Sequence, residues 1–355
     1  MNKSIRTLEA LIQHELVNAD HIVEIEQVIE HFSLSISPQM QQKIDKTKPD
    51  DPIAKQFVPH IEELKTTAFE YHDPIGDDVH TAVKGIIHRY PDRCLLTPVL
   101  VCPVYCRFCF RREKIAASSE KLTAVELDNA FTYINHHPEI WEVILTGGDP
   151  FILKPAALKK ILDRLNAIPH VEVIRFHTRV PVVESAKINA DMIAALKCDK
   201  PIYVVLHANH PNEFTPEASQ ACAALVDAGI PMLSQTVLLK DLNDNIETLS
   251  TLMRCFIKHR IKPYYLHHAD LVRGTQHFRT SIETGQQLMK QLRGRFSGLC
   301  QPTYVLDIPG GFGKMPIGPC YLQAGEKANE IAYHIEDYHG DIHAYPSRLI
   351  DKTTG

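Results

Sequence analysis

The hydrophobic pattern of this 355-residue chain divides it into two parts. In the first part, apolar residues recur at spacings of three and four, at Leu8, Leu11 and Ile12 and again across residues 22–29. This period is typical of amphipathic helices, and it predicts a helical N-terminal extension over residues 1–87. Stretches rich in proline and aspartate, such as YHDPIGDD, predict loops towards the end of this extension.

In the second part, short apolar runs alternate with helical stretches. The runs are apolar at both odd and even positions, as in strands that are covered on both faces. Each helical stretch has one apolar stripe. The runs are LLTPVLV (95–101), EVILTG (142–147), VEVIRFH (171–177), IYVVLH (202–207), MLSQTVLL (232–239), PYYLHH (263–268) and TYVLDI (303–308). Such alternation predicts parallel strands joined by crossover helices. We therefore expect an α/β fold with a partial (β/α) barrel over residues 88–320 and a short C-terminal tail over residues 321–355.

Charge and composition narrow the class of partner. The chain has 38 Lys and Arg against 43 Asp and Glu, a net charge of −5, and no long basic block. A nucleic-acid or membrane-surface binder needs a basic face, so we expect neither partner. No apolar run approaches the roughly 18 residues of a membrane span, and the N-terminus does not have the pattern of a signal peptide. We expect a cytoplasmic protein, in which the nine cysteines are thiols or metal ligands.

Three cysteines cluster directly after the first predicted barrel strand. Cys102, Cys106 and Cys109 form C-x3-C-x2-C, at the strand end where barrels carry their functional residues. A loop there can fold three thiolates around three irons of a four-iron cluster, which leaves the fourth iron open to a ligand. Buried structural thiols and a zinc site are the alternatives, although zinc would need a fourth ligand that the sequence does not make obvious.

The cysteine motif, with Tyr105 and Phe108 before its second and third cysteines, resembles that of the radical S-adenosylmethionine (SAM) superfamily. Four further segments narrow the resemblance to the lysine 2,3-aminomutase family: HRYPDR (88–93), CRFCFRRE (106–113), LTGGDP (145–150) and IPGGFGK (308–314). The resemblance covers most of the chain, from about residue 40 to residue 320. It implies an isomerase that carries a [4Fe–4S] cluster on the three cysteines and uses both SAM and pyridoxal 5′-phosphate (PLP).

The same resemblance assigns positions around SAM. Gly147, Gly148 and Asp149 stand where the superfamily lays a glycine-glycine-acid segment along the methionine amino group of SAM. Glycines let the backbone approach a ligand closely, and Asp149 can accept a hydrogen bond from an ammonium group. The alternative is a turn in which Asp149 caps a helix. His207 and Gln235, at the ends of later strands, are implied to help position SAM, and the alternative for each is an ordinary polar residue at the barrel rim.

A lysine near the C-terminus matches the family's PLP site. Lys314 closes the glycine-rich IPGGFGK loop, and a lysine that forms a Schiff base must be accessible and able to lose its proton. A solvated lysine beside a turn is the alternative. Arg89, Tyr90 and Arg93 match the family's phosphate-binding positions, where the fork of arginine suits two phosphate oxygens. Phe312 departs from the glycine that is common at its position in the family.

Substrate recognition also follows from the resemblance. Arg111 matches the arginine that pairs the α-carboxylate, while Asp270 and Asp307 match two aspartates that bind the ε-ammonium group in lysine-specific members. Two carboxylates in one pocket are costly unless a cation compensates them, so we expect L-lysine rather than glutamate. The implied reaction converts L-lysine to β-lysine through a 5′-deoxyadenosyl radical, with an electron donor such as flavodoxin or ferredoxin.

The C-terminal tail differs from that of the clostridial members of the family, which continue into a cysteine-rich extension that binds structural zinc. Cys320 is the only cysteine after Lys314, so we expect no structural zinc, and a homo-oligomer remains the expectation. The length resembles that of related enzymes that make β-lysine for elongation factor P, although those lack the intact Asp-x-Pro-Gly-Gly loop. An aminomutase acting on a lysine for elongation factor P is therefore the alternative function. A non-catalytic iron–sulfur or zinc module is a remote one, because it leaves the PLP and substrate residues unexplained.

Overall fold

The structure, a computed structural model, describes residues 3–117, 121–324 and 333–345. Within these residues, ten strands form one sheet in strict chain order and three more form a small antiparallel sheet. The strands are β1 Thr81–Val83, β2 Ile86–Tyr90, β3 Arg93–Val99, β4 Glu142–Gly147, β5 Val173–Thr178, β6 Ile202–His207, β7 Met232–Leu238, β8 Ile261–His268, β9 Thr303–Ile308, β10 Gly313–Pro316, β11 Leu322–Ala324, β12 Tyr333–Glu336 and β13 Ile342–Tyr345. The strands from β3 to β9 are parallel, and they form the (β/α) part of the fold.

Helices cover the outer face of this sheet and form a separate N-terminal layer. They are α1 Leu8–Gln13, α2 Ile22–His31, α3 Pro38–Gln41, α4 Pro52–Phe57, α5 Arg112–Ala117, α6 Ala124–Asn135, α7 Pro155–Asn166, α8 Val180–Val183, α9 Ala190–Ala195, α10 Pro216–Asp227, α11 Ile246–Lys258 and α12 Ile282–Leu292. Over the described part of the chain, none of them has both the length and the apolar character that crossing a membrane would require.

The N-terminal helices follow the predicted pattern. Leu11 of α1 and Ile25 and Val28 of α2 are buried, so the apolar positions at spacings of three and four do face the protein interior. Ile12 is 42% exposed, because it lies at the edge of the apolar stripe. A backbone bridge between Ile5 and Ile36 joins the start and the end of this helical layer.

The barrel is open, and β2, the strand next to the edge strand β1, meets β10, the strand at the other edge, at a seam. Both strands run antiparallel to their neighbours, β3 and β9, and among the described residues no backbone pairing joins one edge of the sheet to the other. The backbone N–H of Lys314 instead donates to the hydroxyl oxygen of Tyr90 at 2.8 Å. Gly76 lies so close to Gly311 that a Cβ atom at position 76 would come within 2.6 Å of the backbone nitrogen of Gly311. Side chains and loops therefore connect the two edges.

The predicted parallel strands are confirmed as β3 to β9, with end shifts of a few residues. The structure differs from the predicted organisation at two places. The boundary expected between residues 87 and 88 falls inside β2, which belongs to the barrel sheet. The small sheet of β11, β12 and β13 lies in the segment expected to be a short tail. These strands are short and largely exposed, so they lack the long apolar runs by which the parallel strands were recognised.

Helix α12 packs closely on β9, and a glycine makes this possible. An ideal Cβ atom at Gly285 would lie 2.1 Å from the ring of Tyr304, whose hydroxyl is hydrogen-bonded to His268 Nδ1 at 2.8 Å. Alanine favours a helix over glycine, but here it would push the helix away from the strand that carries Asp307.

We therefore expect Gly285→Ala to lower the free energy of unfolding by about 1–3 kcal/mol, the cost of overpacking a core. Urea unfolding, followed by circular dichroism, measures this change. Gly298→Ala is the matched control, because a Cβ atom at position 298 meets nothing within 4 Å. Equal stability of the two variants would contradict the packing argument.

Candidate active site

A cavity of about 560 Å³ opens at the carboxyl ends of the parallel strands. This volume lies within the range of about 300–1,000 Å³ that is usual for small-molecule sites. Its wall contains every site residue that the sequence predicted: Cys102, Cys106, Cys109, Gly147, Gly148, Asp149, His207, Gln235, Arg89, Tyr90, Arg93, Lys314, Arg111, Asp270 and Asp307. The structure therefore brings into one cavity residues that are spread over more than 200 positions of sequence.

The cysteine loop lies between β3 and α5, with its three thiols in the cavity wall. Burial raises the pKa of Cys109 to about 12 and also raises the pKa of Cys102 and of Cys106. Such thiols become thiolates when a bound cation supplies positive charge, as iron does. Among the residues that the structure describes, no three His, Cys, Asp or Glu side chains are grouped closely enough to hold one metal ion. In a four-iron cluster each cysteine binds its own iron, so the three thiols need not converge on one point.

A buried carboxylate holds this loop in place. Glu63 accepts hydrogen bonds from Arg107 Nε at 2.9 Å and from Arg107 Nη2 at 2.5 Å, and it also accepts one from Arg112. All three side chains are fully buried. Burial alone would raise the pKa of Glu63, but the two guanidinium groups outweigh it and hold this pKa below its usual range. The arginines on either side of Cys109 are thereby fixed to the N-terminal layer.

Backbone hydrogen bonds add to this attachment. The N–H of Tyr105 donates to the carbonyl of Ser35 at 2.7 Å, and the N–H of Arg107 donates to the carbonyl of Gln56 at 2.9 Å. The Ser35 hydroxyl donates to the carbonyl of Pro103 at 2.9 Å. The N-terminal layer thus forms the support for the cysteine loop, a role that no sequence pattern predicted.

The glycine-glycine-aspartate segment follows β4 and is shaped by its neighbours in the protein. Gly147 has φ +101°, and a Cβ atom at Gly148 would lie 2.4 Å from the carbonyl oxygen of Val101. Close packing on the chain after β3 therefore explains both glycines without a ligand. Asp149 Oδ1 accepts from the N–H of Phe151 and from the hydroxyl of Thr178, at 3.0 and 2.7 Å.

The second oxygen, Asp149 Oδ2, accepts from the N–H of Arg179 at 2.7 Å and from the N–H of Val180 at 3.2 Å. Both carboxylate oxygens are thus bound within the protein, as expected for the capping alternative. Burial raises the pKa of Asp149, and these hydrogen bonds partly oppose the increase. The carboxylate ties the end of β4 to the end of β5, whereas the expected bond to an ammonium group would need one of these oxygens.

Arg179 is a residue of the cavity that the sequence analysis missed. It stands just after β5, and its Nη1 lies 2.9 Å from Cys106 Sγ. Its Nη2 donates to Glu213 Oε2 at 2.8 Å and also to Gln56. The rule that barrels carry functional residues at the carboxyl ends of strands could have identified it.

Lys314 lies on β10 at the seam, with its Nζ 2.7 Å from Asp307 Oδ2. Arg89 Nη1 lies 3.8 Å from the other oxygen of Asp307. On the opposite edge of the sheet, the guanidinium of Arg93 covers the ring of Tyr90 at 3.9 Å. Two predicted PLP residues, Lys314 and Arg89, thus flank the carboxylate of the predicted substrate residue Asp307. The other two, Arg93 and Tyr90, contact each other.

A second missed residue, Asp77, links two arginines. Its Oδ2 accepts from Arg111 Nε at 2.8 Å, and its Oδ1 accepts from Arg89 Nη2 at 3.0 Å. Burial alone would raise the pKa of Asp77, but the neighbouring cations, Arg111 foremost, hold it below its usual range. The residue stands in the YHDPIGDD segment, where the sequence predicted only a loop.

Asp270 is the one carboxyl group of the predicted substrate set whose pKa is strongly raised. Burial and the negative charge of Asp307 raise the pKa of Asp270 to about 7. Close to neutral pH this carboxyl group is therefore divided between its acid and its ionised form. A cation placed between the two aspartates would favour ionisation of both.

Several polar atoms in the cavity wall have no protein partner. In the part of the chain that the structure describes, they are Arg89 Nε, Arg175 Nε, His177 Nε2, Arg179 Nε and His267 Nε2. Burial lowers the pKa of His267 to about 3, so its imidazole is neutral at pH 7. Buried polar groups are normally hydrogen-bonded, and a cluster of exceptions in one cavity indicates polar ligands.

Comparisons with known proteins agree with this geometry. The Radical SAM superfamily matches residues 96–252, and the Lysine-2,3-aminomutase family matches residues 289–350. The chain is 36% identical to the L-lysine 2,3-aminomutase of Clostridium subterminale over 99% of this chain and 83% of the relative. It is 37% identical to the L-lysine 2,3-aminomutase of Acetoanaerobium sticklandii over 96% and 82%. It is also 37% identical to the glutamate 2,3-aminomutase of Clostridioides difficile over 84% and 70%.

The attachment of the cysteine loop can be tested at Glu63. Glu63→Gln leaves two buried guanidinium groups without their anion, so we expect a loss of about 3–5 kcal/mol in the free energy of unfolding. Urea unfolding of the protein without added metal gives this value, and iron binding after reconstitution should fall with it.

Glu62→Gln is the control in the adjacent position. Glu62 pairs with Lys65 at the surface, so its loss should change the free energy of unfolding by less than about 1 kcal/mol. If the two variants were equally stable, the Glu63 cluster would not be what holds the loop.

Proposed function

Since this chain belongs to the lysine 2,3-aminomutase family of the radical SAM superfamily and is thus an isomerase, we propose that it moves the α-amino group of L-lysine to the β-carbon. The observation that carries the proposal is a single cavity that combines three thiols, one amine and two aspartates. Each of these groups alone is common in proteins. Their combination matches a radical cofactor, an aldehyde cofactor and an amino acid with a cationic side chain.

Cys102, Cys106 and Cys109 would hold a [4Fe–4S] cluster. All three thiols lie in the cavity wall, where a bound cluster would supply the positive charge that converts them to thiolates. With SAM on the open iron, the cluster supplies the radical chemistry that removes a hydrogen atom from the substrate. His207 and Gln235 lie in the same wall, on neighbouring strands where they pair in register. We include in the proposal a one-electron protein donor such as flavodoxin or ferredoxin.

Lys314, Tyr90, Arg89 and Arg93 would hold PLP. The unpartnered Arg89 Nε and the two guanidinium groups fit a phosphate, which arginine binds through paired hydrogen bonds. PLP supplies the conjugated system that allows nitrogen to move between adjacent carbons. Tyr90 holds the backbone of Lys314 in the wall, so the amine remains directed at the cavity.

Arg111, Asp270 and Asp307 would recognise lysine by its charges. Asp77 occupies Arg111 Nε, which leaves the outer nitrogens of this guanidinium for the α-carboxylate. Asp270 and Asp307 repel one another, and the ε-ammonium group of lysine relieves this repulsion where the side-chain carboxylate of glutamate would increase it. Asp307 pairs with Lys314 in the structure, so its role towards the substrate requires an exchange of partners once Lys314 takes up PLP.

The proposal is tested by direct assay. Protein reconstituted anaerobically with iron, sulfide and PLP receives SAM, dithionite and either L-lysine or L-glutamate. We expect many turnovers of L-lysine to β-lysine, detected by mass spectrometry after derivatisation, and none of L-glutamate. Lys314→Ala should keep SAM cleavage but lose β-lysine formation and the absorbance of protein-bound PLP.

Two outcomes would contradict the proposal. β-Glutamate formation would assign the chain to the members of the family that act on glutamate. Cleavage of SAM without β-lysine would leave the radical chemistry intact and would exclude free lysine as the substrate.

The raised pKa of Asp270 predicts a pH dependence. Only the ionised carboxylate attracts the ε-ammonium group, and this group stays protonated up to about pH 10. kcat/KM for lysine should therefore rise about tenfold per pH unit below pH 7 and level off above it, through the pKa of about 7. Asp270→Asn should give a low and flat profile. A flat wild-type profile between pH 5.5 and 8 would contradict this role of Asp270.

A further inference from the structure

Arg179 is a buried cation that contacts a cysteine of the loop proposed to hold the iron–sulfur cluster. Its side chain is only 5% exposed, and its Nη1 lies 2.9 Å from Cys106 Sγ. We propose that Arg179 is a positioning residue that raises the reduction potential of the cluster through an N–H···S hydrogen bond to Cys106. This inference rests on the cluster proposed above, and it concerns how readily that cluster takes up its electron.

The guanidinium of Arg179 is fixed on three sides. Glu213 Oε2 accepts from Nη2 at 2.8 Å, and Gln56 Oε1 accepts from the same nitrogen. Gln56 Nε2 in turn donates to Glu213 Oε1 at 3.2 Å, and Asn209 Nδ2 donates to Gln56 Oε1 at 3.1 Å. Every partner of Arg179 is thus itself held by another, so the direction of the N–H towards sulfur does not depend on a mobile side chain.

Two aromatic rings complete this enclosure. The guanidinium carbon of Arg179 lies 4.7 Å from the ring centre of Phe57 and 5.5 Å from that of Phe108. Both contacts lie within the distance of a cation–π interaction. Phe57 is fully buried and Phe108 is 8% exposed, so the rings give the guanidinium apolar surroundings on these sides. A hydrogen bond in such surroundings is stronger than the same bond in water.

The sign of the effect follows from charge. One-electron reduction adds negative charge to the cluster and to its thiolate sulfurs, and it breaks no bond to Cys106. An N–H donor stabilises the more negative form more strongly, so it shifts the potential upwards. Glu213 balances the formal charge of Arg179, which leaves the directed N–H as the main influence on the cluster.

The test is a redox titration of the reconstituted protein without SAM, poised with dithionite and mediators and followed by the electron paramagnetic resonance signal of the reduced cluster. In Arg179→Met we expect the ratio of reduced to oxidised cluster at a fixed potential to fall at least tenfold, a downward shift of about 59 mV for one electron. Arg179→Lys, which keeps the charge and a donor, should lie between this variant and the wild type.

Arg175→Met is the matched control. Arg175 lines the same cavity four residues earlier, and it pairs with Glu142 rather than with a cysteine. The Arg175→Met variant removes the same charge from the cavity without touching a thiol, so the reduction potential of its cluster should stay at the wild-type value. A shift in Arg179→Met no larger than that in Arg175→Met would overturn the proposal.

A second variant keeps the proposal testable if Arg179→Met alone does not fold. Arg179→Met leaves Glu213 as a buried unpaired anion, whereas Arg179→Met with Glu213→Gln removes both charges together. The double variant should retain four irons and four sulfides per chain and show the same downward shift, and an unchanged potential in it would overturn the inference. Iron and sulfide analysis of the wild type tests the cluster by itself, so failure of the proposed function and failure of this inference are distinguishable.

Discussion

The fold and its site depend on one buried interaction, the carboxylate of Glu63 between Arg107 and Arg112. Removing two guanidinium groups from water is unfavourable, and the anion between them is what makes their burial tolerable. These arginines flank Cys109, so the position of the cysteine loop follows from the position of Glu63. The N-terminal layer thus supports the loop that we propose to hold the cluster, although among the described residues none before Ile75 lines the cavity.

The other end of the cavity is organised by alternating charges. Arg111, Asp77, Arg89, Asp307 and Lys314 follow one another so that each charged group has a neighbour of the opposite sign. Asp270 stands beside this series, and burial and the charge of Asp307 raise its pKa, although Lys314 and Arg111 partly oppose the increase. A ligand with carboxylate, phosphate and ammonium groups can enter such a series by exchanging partners, which avoids exposing any charge without compensation.

One topological rule predicts part of this site from the sequence, whereas Arg89, Tyr90, Arg93 and Lys314, which lie on β2, β3 and β10, were implied only by the family resemblance. The carboxyl ends of parallel strands meet at one edge, so motifs that follow successive apolar runs share a cavity wherever they stand in the chain. Glu63 and Asp77 were missed for a physical reason. Their partners are distant in sequence, and no periodic pattern marks a carboxylate that will be buried by a later segment. For Asp149, the motif located the residue, while three of the four hydrogen bonds to its oxygens come from residues 178–180, at and just after the end of β5.

The seam between β2 and β10 has a consequence for how the protein assembles. Tyr90 and Lys314 are 224 positions apart, and loops of this length close only after the strands between them have found their order, since each added residue increases the entropy lost on closure. The two edges are joined there by side chains rather than by a ladder of backbone bonds. We therefore expect the place where the chain closes upon itself to be completed late in folding and to open early in local fluctuations, and it is the same place that carries the amine of Lys314.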